Sequence, residues 1–155
     1  MTTVDRAEAR NEILALVYGY SDAIDRSDFD AVAELFRRGD FLVDGGRIPL
    51  RGDALGNWFR GQLVVYDDGT PRTSHVNPNV VVRVADDGRT ASARTPLLVF
   101  QAVDGEIRCV FSGVYDDTFA LGADGWHFNS RRSTTRLVGD LSAHLVAGRL
   151  GGATR

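Results

Sequence analysis

The sequence contains no lysine: all 18 of its basic residues are arginine. That excludes a Schiff-base lysine and a lysine general base. A single cysteine, Cys109, excludes an internal disulfide and a cysteine-based zinc site. The three histidines, His75, His127 and His144, are too far apart in sequence for an HExxH-type metal pair. His75 with Asp25 and Asn77 is a thin ligand set, so no metal is expected. Long apolar runs are also missing. Segments such as Val80-Val81-Val82 and Pro96-Leu97-Leu98-Val99-Phe100 fall far short of the roughly 20 residues a membrane helix needs. The first ten residues carry no apolar signal core, and a cytoplasmic location is expected. The net charge of −3 argues against nucleic acid or an anionic membrane as partner.

What is present suits a single domain of 155 residues, 43% hydrophobic and 25% charged. The spacing predicts a first helix from about Val4 to Asp25. Ile13, Leu16, Val17, Tyr20 and Ile24 form an apolar stripe on it, and Asp25 borders that stripe near the helix end. A second helix is predicted to start at Ser27-Asp28, with Ser27 as N-cap, and to end at Gly39. Phe41-Leu42-Val43 and Ile48-Pro49-Leu50 read as short strands around an Asp44-Gly45-Gly46 turn. A third helix is predicted from Asp53 to about Gln62, anchored by Trp58 and Phe59.

The second half reads as four long strands: Ser74 to Ala85, Thr90 to Val103, Ile107 to Phe119 and Trp126 to Leu137. Asp-Gly turns separate them, the signature of an antiparallel meander. A short helix is expected over Gly139 to Leu150, with a frayed end beyond it. Helices followed by strands make an α+β fold, here a curved, cone-shaped sheet wrapped around the N-terminal helices with one open end.

Several residues stand out chemically. His75, Asn77 and Asn79 share one face of their strand, either as a functional row or as the solvent face. An imidazole can accept a proton near neutral pH, and a carboxylate on its other nitrogen fixes the tautomer. Asp25 is a candidate for that carboxylate, or else a surface acid near a helix end. Strand alternation groups Trp126, Phe128, Ser130 and Arg132, so Arg132 is expected inside as an oxyanion or carbonyl ligand, or else paired at the rim. Arg94 is a weaker candidate for that role. Tyr115 reads as core or as a pocket hydroxyl. Trp58 and Phe59 read as closing the cone's mouth or as ordinary packing. Cys109 is expected to be buried, His127 exposed, and His144 structural or exposed.

The order of elements resembles the SnoaL-like branch of the nuclear transport factor 2-like superfamily. The resemblance spans roughly residues 8 to 142. It rests on Ile13-x-x-Leu16-x-x-x-Tyr20-x-x-x-Ile24-Asp25-x-x-Asp28-Phe29-Asp30 with Leu35-Phe36, on Thr73-Ser74-His75, on Gly113-x-Tyr115-x-Asp117-x-Phe119, and on Gly125-Trp126-x-Phe128-x-x-Arg131-Arg132. It implies that Asp25 and His75 form a dyad like that of dehydrochlorinase and bile-acid dehydratase relatives, with His75 as general base, Asp25 orienting it and Tyr20 as a pocket tyrosine. Two features depart from those relatives. No second histidine, as in scytalone dehydratases, and no acidic residue lies between Thr90 and Val103.

The resemblance therefore implies a cofactor-independent lyase, isomerase or cyclase acting on a small, apolar, cyclic carbonyl or hydroxy compound. It implies His75 and Asp25 as the catalytic pair with Tyr20 in the pocket, and the residue pattern adds Arg132, Tyr115 and Trp58 as expected substrate-binding residues. A non-catalytic binding module and an assembly subunit of the same fold are the alternatives. A homodimer is expected in each case, because the outer face of such a sheet needs covering.

Overall fold

The structure is a computed structural model that describes residues 3–43 and 48–147. Three helices come first: α1 (Thr3–Asp25), α2 (Phe29–Leu35) and α3 (Gly52–Gln62). β1 (Asp40–Leu42) lies between α2 and α3, and five strands follow: β2 (Thr73–Val76), β3 (Val81–Val84), β4 (Thr90–Val103), β5 (Glu106–Gly122) and β6 (Gly125–Val138). The sheet order is β1-β6-β5-β4-β2, with β3 also paired to β4. All pairings are antiparallel except β1 with β6. The expected α+β class and mixed curved sheet are thus what the chain forms.

The apolar stripe of α1 does what its spacing predicts. Ile13, Val17, Tyr20 and Ile24 are buried, and α1 packs against β2, β3 and β6 on the inner face of the sheet. Tight turns set the long strands. Asp104 and Gly105 both take positive φ, 51° and 80°, which fits a two-residue hairpin whose twist matches its strands. Tyr20, Phe36, Phe41, Phe59, Phe119 and Phe128 fill the space between helices and sheet, with Phe36 and Phe128 stacked at 4.5 Å.

Some local expectations need correction. The N-cap of α2 is Asp28, whose carboxylate accepts from the Ala31 N–H at 3.0 Å, while Ser27 sits at φ 58°. The helix stops at Leu35, before Gly39. The strand expected from Ser74 to Ala85 is two strands. Pro78 has no N–H to give the ladder and Asn79 takes φ 54°, so pairing with β4 lapses and resumes at Val81. Ile48-Pro49-Leu50 forms only a bridge from Leu50 to Phe41, and the Asp44-Gly45-Gly46 turn lies outside the described residues. No helix follows β6 within residues 139–147. A turn at residues 142–144 leads into a bridge from Leu145 to Leu63. Residues 148–155, where fraying is expected, also lie outside the described residues. Cys109 is exposed because it stands opposite Phe100 on the outer face, and Val110 at the neighbouring bulge takes the inward place. No described helix is long and apolar enough to cross a membrane.

Two glycines test this packing. A Cβ at Gly39 would sit 2.9 Å from the Phe128 carbonyl carbon, where β1 meets β6, whereas one at Gly19 in α1 meets nothing within 4 Å. Gly39→Ala is expected to lower unfolding free energy by roughly 1–3 kcal/mol through overpacking. Gly19→Ala is expected to raise it by about 0.5–1 kcal/mol through helix propensity. Urea unfolding monitored by circular dichroism reads both.

Candidate active site

The end of α1 and strand β2 run antiparallel, and their repeats match. Four helical residues advance about 6 Å and two strand residues about 6.6 Å. Ser21 and Asp25, one turn apart, therefore both meet the strand: Asp25 faces Thr73 and His75, and Ser21 faces Asn77. The Ser21 hydroxyl donates to Asn77 Oδ1 at 2.6 Å. Asp25 is more heavily engaged. Its Oδ1 receives the Thr73 hydroxyl at 2.7 Å and lies 2.6 Å from His75 Nδ1, while its Oδ2 accepts the His75 backbone N–H at 2.7 Å.

The His75 side chain is 7% exposed and that of Asp25 21%. Burial works to raise the Asp25 carboxyl. The His75 ring, its charge and its backbone N–H, together with the Thr73 hydroxyl, outweigh burial and hold the carboxyl below its usual range. Asp25 is therefore an ionised acceptor. An ionised carboxylate only accepts, so the short bond runs from His75 Nδ1–H to Asp25, and in the neutral ring the lone pair is on Nε2.

Between β5 and β6 lies a fully buried ion pair. Arg131 donates through Nε and Nη2 to the two carboxylate oxygens of Asp117, each at 2.7 Å, and both side chains are 0% exposed. Burial pushes the Asp117 carboxyl up, and the guanidinium pulls it back. The Arg131 guanidinium carbon lies 4.1 Å from the Tyr115 ring centre, 4.5 Å from Tyr20 and 4.7 Å from Phe128. Its Nη1 is buried with no hydrogen-bond partner. Burial raises both phenols, Tyr20 well above its ordinary value, so each keeps its proton and can donate. Tyr20 and Tyr115 meet edge to face at 5.6 Å.

The expected site residues are thus partly gathered. Asp25 and His75 are hydrogen-bonded, and Tyr20 and Tyr115 share the arginine beside them. Arg132 is not there: it is exposed, and Arg131 holds the inward place. The cause is a bulge. Thr118 pairs with Ser130 but Phe119 pairs with Phe128, so Asn129 is an extra residue and the alternation flips after it. Arg94 is also outside, paired with Asp116 at 2.7 Å. Trp58 is half-buried and touches Phe59, which in turn touches Tyr20, so it stands one layer out from the tyrosines. An open depression of about 500 Å³, lined by Arg83, Ser92, Thr118 and Asn129 among others, includes no dyad residue.

Sequence reasoning missed two buried polar features. One is the Arg131–Asp117 pair, for which an inward Asp117 beside Tyr115 and Phe119 was the available signal. The other is His144. It is buried, its Nδ1 has no partner, and burial together with His75 lowers it to about 4. His127 is half-buried, with a buried unpartnered Nδ1, instead of exposed.

A profile of the SnoaL-like domain family matches residues 5–132, and the chain belongs to that family. It is 33% identical over 139 residues to the uncharacterized protein Rv2910c of Mycobacterium tuberculosis, covering 86% of this chain and 90% of that one. An NTF2-like protein with a cystatin-like fold from Novosphingobium aromaticivorans superposes with a TM-score of 0.72 at 27% identity, over 90% of this chain and 89% of the other. ActVI-ORFA from Streptomyces coelicolor superposes at 0.64 with 19% identity, over 81% and 96%, which shows a shared fold.

The buried groups yield two predictions. His144 titrates lower in the folded chain, about 4 against an ordinary 6.5, so the unfolded state binds its proton first. Stability is expected to fall as pH drops from 6.5 toward 4, and His144→Leu to flatten that part of the slope, read by urea unfolding across pH. Asp117→Ala, which strands a buried guanidinium, is expected to cost roughly 3–5 kcal/mol in the same measurement.

Proposed function

We propose that this protein is a cofactor-independent lyase of the elimination type, acting on a small, apolar, cyclic hydroxy-carbonyl compound. The observation that carries this reading is the 2.6 Å bond between His75 Nδ1 and Asp25, which occupies one ring nitrogen with a carboxylate and makes Nε2 the nitrogen available as a base. His75 Nε2 takes the proton from the carbon next to the carbonyl. The C–H electrons form a carbon–carbon double bond, and the hydroxyl on the next carbon departs. The proton on Nε2 passes to that hydroxyl, so water leaves and the base is regenerated. One imidazole then serves both steps, which suits a chain with no second histidine or acid on β4. Asp25 stabilises the transient imidazolium. The unused Nη1 of Arg131 and the Tyr115 hydroxyl are suited to the oxygen on which negative charge develops.

Self-association fits the outer face of the sheet. Ile107 and Leu137, 77% and 71% exposed on the sheet, are apolar side chains that a second copy would cover.

His75→Ala is expected to stay folded and lose turnover of cyclic β-hydroxy ketones. Asp25→Asn keeps the shape but not the charge, and is expected to lower kcat by about 10²–10⁴. A substrate screen followed by water-loss kinetics on both variants tests this. Full turnover by His75→Ala would refute the assignment.

A further inference from the structure

The chain after β6 does not leave the molecule at once. It folds back across the end of the inner face, and this return is pinned at consecutive peptide groups. The Ala143 carbonyl accepts from the Tyr66 hydroxyl at 2.8 Å and from Gln101 Nε2 at 2.9 Å. The His144 carbonyl accepts from the Val64 N–H at 2.9 Å, and the Val146 N–H donates to the Gln62 carbonyl at 2.8 Å. Gln101 ties this strap to the dyad. It stands in register with Thr73, the residue whose hydroxyl holds Asp25, two places along β4 from Val99, which is opposite His75.

Two polar atoms are left over at this junction. Gln101 is 1% exposed, and its Nε2 is committed to the Pro71 and Ala143 carbonyls, which fixes the amide orientation. Its Oε1 is buried with no partner. His144 is 8% exposed, and its Nδ1 is likewise buried without a partner. A buried polar atom without a partner is costly in a folded chain and calls for an explanation. The strap that carries His144 is also fixed on both sides, as a recognition residue needs to be.

We propose that His144 and Gln101 form a second polar anchor of the site, which selects substrates bearing a hydroxyl at the end remote from Arg131. A hydroxyl is the smallest group that accepts from one partner while donating to another. It can take the His144 Nδ1–H and give its own proton to Gln101 Oε1. The register of Gln101 with Thr73 and its bond to the Ala143 carbonyl set the anchor at the Thr73 end of the strand that carries His75. The neutral His144 ring is then a hydrogen-bonding group and not an acid. This assignment rests on the dyad being the reaction centre. It gives the site two poles: an oxyanion pole at Arg131 and Tyr115, and a hydroxyl pole at His144 and Gln101.

The test uses 5-hydroxy-1-indanone and 1-indanone as probes, with affinities measured by calorimetry on the full chain. The wild type is expected to bind the hydroxylated probe at least about ten-fold more tightly, since a site built to bond a hydroxyl rejects the analogue without one. In His144→Leu and in Gln101→Leu the two affinities are expected to converge to within about two-fold, while His75→Ala keeps the preference. Should the variants fail to fold, the ring signals of His144 in wild-type ¹H–¹⁵N spectra are expected to move with the hydroxylated probe and not with indanone. Equal affinities in the wild type, no binding of either probe, or a preference that survives His144→Leu would overturn the anchor. Loss of the preference alongside full turnover by His75→Ala would overturn the general-base reading instead.

Discussion

Asp25 sits where the last turn of α1 meets β2, and its carboxylate takes the Thr73 hydroxyl, the His75 backbone N–H and the His75 ring. A half-buried carboxylate is stable there only because each oxygen is occupied. The bonds act on structure and chemistry together. They fasten the helix to the strand it crosses, set which His75 nitrogen carries the proton, and leave the other free. The match between four helical residues and two strand residues extends the joint to Ser21 and Asn77. Helix, strand and dyad are consequences of one contact surface.

The Arg131–Asp117 pair shows a second constraint. Two charges with no exposure are a poor means of stabilising a fold, because desolvation consumes most of what their attraction supplies. Under the proposed function the guanidinium, held among Tyr20, Tyr115 and Phe128, supplies a fixed positive pole for a developing negative charge. The raised phenols support the same division of labour. Both phenols keep their protons, which agrees with the base role proposed for His75.

Much of this was legible in the chain and some was not, for physical reasons. The α1 stripe and the edge position of Asp25 follow from helical periodicity alone, and the period-two row beginning at His75 follows from strand geometry. Arg131 was missed by one residue because a bulge at Asn129 breaks the alternation, and nothing in Phe128-Asn129-Ser130 announces it. Pro78 was a visible signal that the strand after Thr73 is interrupted. His144 was out of reach, since its place depends on the strap bonding to Gln62, Val64, Tyr66 and Gln101, residues far from it in sequence. Local patterns specify elements, and long-range hydrogen bonds decide which side chains reach the site.

The most direct measurement is a long-range ¹H–¹⁵N spectrum of the histidine rings in the wild type and in Asp25→Asn. The Asp25–His75 bond predicts a His75 ring protonated at Nδ1 and bare at Nε2 in the wild type, with that preference lost in the variant. A wild-type ring protonated at Nε2, or a tautomer unchanged by Asp25→Asn, would contradict the role assigned to Asp25 and the base assigned to His75.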